Sequence, residues 1–376
     1  PAVAQDVGHR PSLTENFAGM KRFLGLFALL AAPAAAETVE TIASGLDHPW
    51  SLAFLPDGRT LVTERSGRLS IIARGARPQP ISGVPPVYVA GQGGLFDVVL
   101  HPRFAENRIL YLSHAGGTAK ANATRITRAR LEGTALKDVR TIFEVSPTKD
   151  TPVHYGGRMA FLPDGTLVMT TGDGFDYREQ AQRLGSGLGK IVRLNDDGTV
   201  PASNPFAGRA GAQGASFSYG HPNPQGLAVD PVTGWLWAHE HGPRGGDEVN
   251  NIVRGGNYGW PVATFGRDYS GASISPFKRY KGMRDAAVVW VPSIAPSGLA
   301  VYRGALWPEW QGDLIVGALV NKEVRRIDLD AKGRVLGQGR IFPRISARIR
   351  DVRVAPDGAV WVTTDEDKGK VLRVTP

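Results

Sequence analysis

Two short runs in this chain pair a histidine with a carboxylate in a way that suits proton transfer. They are Val153-His154-Tyr155-Gly156-Gly157-Arg158 and Thr171-Gly172-Asp173-Gly174. If they are the two ends of one hairpin, the second strand returns to the side where the first began, and His154 and Asp173 lie close together. An imidazole oriented by a carboxylate is a plausible general base. The plainer alternative is a histidine satisfied by backbone carbonyls.

A denser run, Tyr219-Gly-His-Pro-Asn-Pro-Gln-Gly226 followed by His239-Glu-His-Gly-Pro-Arg-Gly-Gly-Asp-Glu248, combines Glu240, Asp247 and Glu248 with a glycine-proline kink. Carboxylates beside unpaired carbonyls are hard oxygen ligands and suit calcium. His239 and His241 leave a softer metal open, but the His-Glu-x-x-His spacing of zinc proteases is absent. Arg348 and Arg350, two apart, would place both guanidinium groups on one face of a strand, a fit for an anion with several carboxylates. A solvated strand edge paired with Asp351 is the alternative. Gly91-Gln92-Gly93-Gly94 lets a backbone approach a ligand and offers the amide of Gln92, although a tight loop explains the glycines equally well.

The elements that must position these residues repeat along the chain. An apolar strand, a turn often spelled Pro-Asp-Gly, and a second apolar strand recur at Ser51–Thr63, Arg158–Thr171 and Asp351–Thr364. Looser copies start at Phe96, Gly226 and Gly298. Proline presets φ, aspartate caps its own backbone and glycine takes the positive φ, so each copy is a hairpin. Six hairpins at roughly 57-residue spacing bury their faces best by stacking around an axis. The expected fold is all-β, a six-bladed β-propeller of four-stranded antiparallel blades, with a two-sheet sandwich as the weaker solution. Loops from distant blades then converge at one end of the axis.

The chain has 376 residues, 42% hydrophobic and 21% charged, with 47 glycines and 27 prolines, which suits many short strands and excludes disorder as the main state. It contains no cysteine, which removes disulfides, thiolate metal sites and a cysteine nucleophile. Its net charge of +9 is dispersed, without the clustered basic and aromatic pattern of a nucleic-acid surface, so no nucleic-acid partner is expected. No Gly-x-Ser-x-Gly elbow, Walker loop or dinucleotide fingerprint occurs. From Met20, Lys21-Arg22, the apolar run Phe23 to Ala32 and Pro33-Ala-Ala-Ala36 form a secretory signal, expected to be cut after Ala36. Residues 1–19 are expected to be a non-native leader and residues 37–376 the propeller, in a periplasmic or secreted location, with no membrane span after cleavage.

Taken together, these runs resemble the soluble pyrroloquinoline-quinone (PQQ) sugar dehydrogenases, a glucose/sorbosone dehydrogenase-like family, and particularly the periplasmic aldose sugar dehydrogenase branch. Seven segments carry the resemblance in order: Gly91–Pro102, His154–Arg158, Gly189–Leu194, Asn223–Gly226, Glu240–Glu248, Gly256–Trp260 and Arg348–Val352. The resemblance implies a six-bladed propeller that oxidises aldose sugars at the anomeric carbon with PQQ and calcium (Ca2+), and passes electrons to an external periplasmic acceptor. It makes His154 the base and Asp173 its orienting carboxylate, and puts Gln92, Asn223, Arg348 and Arg350 at positions that contact PQQ. It assigns the carbonyls of Gly242 and Pro243 to the active-site calcium, with Asp247 supporting them, and Glu248 and Tyr258 to a further, structural calcium. The chain departs from the family at Pro222, where an arginine is usual, and at Val320, where a PQQ-facing lysine is usual. Lys322 falls on the same face as Val320 if that strand continues, and Lys322 or Arg244 would be the substitute cation. Two other functions fit a propeller: a calcium-dependent lactone or ester hydrolase, and a catalytically silent sugar- or protein-binding domain.

Overall fold

In the computed structural model, the structure describes residues 37–376; the leader, signal and cleavage-site expectations lie outside the described residues. Twenty-four strands form six four-stranded antiparallel sheets, the propeller expected from the repeats. Five blades are made of consecutive strands, and their innermost strands are Pro49–Phe54, Leu95–Leu100, Gly156–Phe161, Pro224–Val229 and Pro296–Val301. The sixth starts with Ile349–Val354 and is completed by the first strand, Thr38–Leu46, which pairs with the last, Gly369–Thr375. The two ends of the described chain thus close the ring by hydrogen bonds. No helix among these residues is long and apolar enough to cross a membrane.

The core lies between blades. Strands such as Leu314–Ala318 and Val360–Thr364 are almost wholly buried because neighbouring blades cover both faces, which is why their sequences read as apolar runs rather than strict alternations. One cluster packs Trp307, Trp310 and Phe342 of blade five against Val352, Val360 and Val362 of blade six.

Near the axis the packing is polar. The guanidinium of Arg158, on the innermost strand of blade three, donates to Asp351 Oδ1 at 2.7 Å, to the Gln225 carbonyl at 2.8 Å and to the Arg350 carbonyl at 2.7 Å. It also stacks 4.0 Å over the Trp50 ring. Arg353 bonds Asp351 at 2.9 Å and Asp97 at 2.8 Å, so blades one, two, three, four and six are tied through one network.

Each innermost strand is bulged near its first residues where it pairs with the second: Pro49/Ser51, Leu95/Val98, Gly156/Met159, Pro224/Gly226, Pro296/Leu299 and Ile349/Asp351. Bulges re-aim side chains and end regular pairing. His154, Asn223, Arg348 and Arg350 all sit at or beside such a bulge, at the mouth of the ring.

Candidate active site

The hairpin of blade three brings His154 and Asp173 together: His154 Nδ1 is 2.7 Å from Asp173 Oδ1. Asp173 is fully buried and accepts two more hydrogen bonds, from the Phe175 N–H at 2.8 Å and from the Trp260 indole N–H at 2.7 Å. A carboxylate held by three donors has a fixed orientation. It assigns the imidazole proton to Nδ1 and leaves Nε2 as the open acceptor. The backbone-carbonyl alternative for His154 is therefore not what the fold adopts. His154 itself has φ +52°, and its backbone N–H donates to Gln92 Oε1 at 2.8 Å. Gln92 thus fixes the backbone that carries the imidazole.

His154 and Asp173 line a cavity of about 190 Å3 with Trp260, Pro222, His241, Pro243, Phe175 and Tyr269. Phe175 meets the His154 ring edge to face at 5.2 Å and stacks on Tyr269 at 6.2 Å. Both are exposed. Burial lowers the pKa of His241; its Nε2 donates to the Pro296 carbonyl at 2.7 Å.

His241 also lines a second cavity, of about 250 Å3, whose wall includes Trp50, Phe96 and Tyr155 and whose polar groups include Gln92, Asn223, Gln225, Arg65, Arg348 and Arg350. Arg348 and Arg350 both bond Asp365 Oδ2, at 3.2 and 2.9 Å. Their partner is thus Asp365 and not Asp351, which is committed to Arg158 and Arg353. Burial alone would raise the Asp365 carboxyl, but Arg350, His48 and Arg348 hold it well below the usual range. Asn223 Oδ1 accepts from the Gly156 N–H and the Gln225 amide, both at 3.1 Å. Arg350 Nε is buried without a hydrogen-bond partner.

The strand that precedes position 320 does not reach it. It ends at Ala318, and Lys322 sits in the following turn with φ +53°. Lys322 lines neither cavity, because the left-handed residue reverses the chain, and Arg244 lines neither. Arg65 does line the larger one, although its sequence context, the end of an ordinary strand, carried no signal.

Among the described residues no three His, Asp or Glu side chains are grouped to hold a metal ion, so a cation here needs carbonyl oxygens. A Cβ on Gly242 would fall 2.2 Å from the Gly245 carbonyl oxygen and 2.5 Å from that of Gly246. Asp247 accepts from the Gly242 N–H at 2.9 Å, Ser293 Oγ at 2.6 Å, and the Ile294 and Ala295 N–H groups at 2.9 and 3.0 Å. Those four donors make it a brace of the loop. Next to it, Glu240, Gly242, Gly246, Glu248 and Tyr258 line a hole of about 10 Å3, the size of one small occupant. Burial and the nearby Glu240 push the Glu248 carboxyl up to about 8. Asn250 donates to Glu240 Oε1 at 2.9 Å and leaves its own Oδ1 buried and unpaired. The Tyr258 hydroxyl bridges Asn251 and Val253, and its ring stacks on His221 at 4.8 Å. The sequence runs pointed to Glu240 and to the Gly256–Trp260 segment, but gave no role to Asn250 or to the Trp260 indole, whose partner Asp173 lies 87 positions away.

Trp260→Phe is expected to strip one donor from the buried Asp173 carboxylate and lower kcat about 3- to 10-fold with KM little changed. Steady-state kinetics would check this, and a changed KM with unchanged kcat would refute it.

Comparison with known proteins places the chain among sugar dehydrogenases. The glucose/sorbosone dehydrogenase family model matches residues 46–373. The chain is 44% identical to the aldose sugar dehydrogenase YliI of Escherichia coli (strain K12), over 93% of this chain and 95% of that protein. It is 27% identical to quinoprotein glucose dehydrogenase B of Acinetobacter calcoaceticus, over 89% of this chain and 86% of that one. The PQQ-bound structure of an aldose sugar dehydrogenase from Streptomyces coelicolor superposes with a TM-score of 0.72 at 30% identity, covering 91% of this chain and all of the other.

Proposed function

From the premise that this chain belongs to the glucose/sorbosone dehydrogenase family, we propose that it is an oxidoreductase that oxidises aldose sugars at the anomeric carbon to lactones, using PQQ and calcium. The observation that carries this reading is the meeting, at His241, of the His154–Asp173 cavity with a cavity walled by aromatic rings and arginines.

The residues fit both groups. A flat polycarboxylate matches the rings of Trp50, Phe96 and Tyr155, the guanidinium groups of Arg348 and Arg350 and the amides of Gln92 and Asn223. Calcium matches the carbonyl-rich Gly242–Pro243 turn braced by Asp247 and, as a second ion, the hole between Glu240, Glu248 and Tyr258, where it would offset the crowded carboxylates and use the orphaned Asn250 oxygen. When bound, PQQ supplies the two-electron acceptor for the anomeric hydride, and calcium supplies Lewis acidity.

The chain's own residues supply the proton chemistry. Nε2 of His154 takes the proton of the anomeric hydroxyl as hydride leaves the same carbon, which leaves the ring lactone. Asp173 keeps the proton on Nδ1 and stabilises the imidazolium that forms. Phe175 and Tyr269 offer apolar faces to the sugar ring beside the base. Electrons then pass to an external acceptor.

Titrating metal-free protein with PQQ in calcium, followed by glucose, tests the reading. Saturable binding and bleaching of the quinone absorbance are expected; absence of binding at tens of micromolar refutes it.

Calcium makes a separate prediction. A carboxyl raised to about 8 in the folded protein contributes stability fully present below its unfolded value near 4.5 and lost as pH rises through 8. Calcium competes with that proton. Its stabilising effect, about 2.7 kcal/mol at a hundredfold excess over Kd, should therefore be larger at pH 9 than at pH 6. Melting temperatures with and without calcium at the two pH values check this, and equal increments would count against Glu248 as a ligand.

A further inference from the structure

Arg65 follows the second strand of blade one, Thr60–Glu64, at the same end of the ring as Gln92. Its N–H donates to the His48 carbonyl at 3.1 Å, and its carbonyl accepts from the Leu95 N–H at 3.1 Å. Its backbone is therefore fixed between two mouth loops. Its stem packs where Gly94 has no side chain: a Cβ there would fall 2.7 Å from Arg65 Cγ and 2.0 Å from the Arg65 carbonyl oxygen. The Gly-rich loop that carries Gln92 thus has a packing reason for its last glycine, which is to admit the arginine.

The charges around the cavity are unequally committed. Arg348 and Arg350 share one carboxylate, that of Asp365, so part of their charge is already compensated. Arg65, half-buried on the same cavity wall, has no ion-pair partner and no side-chain hydrogen bond among the described residues. The lining carries three arginines against one aspartate. Val320 lines this cavity with an apolar side chain that is 59% exposed.

We infer that Arg65 is a cofactor-binding residue of this chain, its guanidinium taking one carboxylate of the flat polycarboxylate ligand. A guanidinium pairs with a carboxylate bidentately, which an ammonium does not do, so lysine at position 65 is not an equivalent replacement. The inference rests on the PQQ reading above.

The test is equilibrium binding of PQQ in calcium to metal-free wild-type protein, Arg65→Met and Arg65→Lys, read by quinone absorbance or tryptophan quenching at several salt concentrations. Thermal melts of the unliganded variants report folding. Methionine keeps the stem over Gly94 and removes the charge. It is expected to weaken binding about 10- to 100-fold and to flatten the salt dependence, with lysine intermediate and the melting temperatures unchanged. If wild type binds PQQ and Arg65→Met binds within twofold of it with the same salt slope, the assignment of Arg65 is overturned and the PQQ reading stands. If wild type does not bind PQQ, the PQQ reading fails and takes this assignment with it.

Discussion

His154→Asn in protein reconstituted with PQQ and calcium is expected to lower kcat for aldose oxidation by about 10^2- to 10^4-fold, the range set by loss of a positioned general base. Asparagine is the informative replacement because residue 154 has φ +52°, a left-handed conformation that asparagine tolerates better than most residues. The backbone N–H bond to Gln92 is independent of the side chain and should survive, so PQQ affinity should change little. The split between lost turnover and retained binding separates a proton-transfer role from a structural one. Retention of more than a tenth of wild-type kcat would remove His154 from the mechanism. Asp173→Asn provides a companion test. Its Oδ1 accepts from both His154 Nδ1 and the Phe175 N–H, and its Oδ2 from the Trp260 indole, so an amide with its oxygen toward His154 sets its NH2 against the Trp260 N–H, the opposite flip sets it against His154, and turnover should again fall.

Arg158→Met is expected to destabilise the fold by about 3–5 kcal/mol, the cost of leaving a buried charge without its partner. Asp351 is 1% exposed and Arg158 2%. Asp351 keeps Arg353 and the Leu52 N–H at 3.1 Å after the substitution, which places the effect toward the lower end. Two carbonyls, of Gln225 and Arg350, lose donors at the same time. The second of these holds the backbone of a residue on the larger cavity, so PQQ binding should weaken along with stability. Urea unfolding with a constant m-value is the measurement; a loss under about 1 kcal/mol would mean that the network relaxes around the gap.

The blades were legible because each hairpin is specified locally. Leu55-Pro-Asp-Gly58 turns by its own chemistry, and the second strand of each repeat is apolar because it is buried on both faces. The pairing of His154 with Asp173 was legible for the same reason, since both lie on one hairpin and its geometry alone brings them together. Lys322 failed as the substitute cation because strand continuation was assumed across a turn that the chain takes at a left-handed residue. The alternative partner of Arg348 and Arg350 was sought at the adjacent Asp351, whereas adjacency in sequence is not adjacency at a bulge.

The sequence by itself therefore determined the repeat, the turn residues, the pairing of His154 with Asp173 and the presence of two arginines at the start of the last blade. Only the closed ring decided which charges neutralise which. Arg158 meets Asp351 across 193 positions and His48 meets Asp365 across 317, distances over which no local pattern carries information. The physical reason is that turn chemistry and side-chain alternation act over a few residues, while the field at the axis is summed over loops from every blade. That sum left Arg65 uncompensated, spent Asp247 on bracing a loop and set Trp260 on the far side of the Asp173 carboxylate.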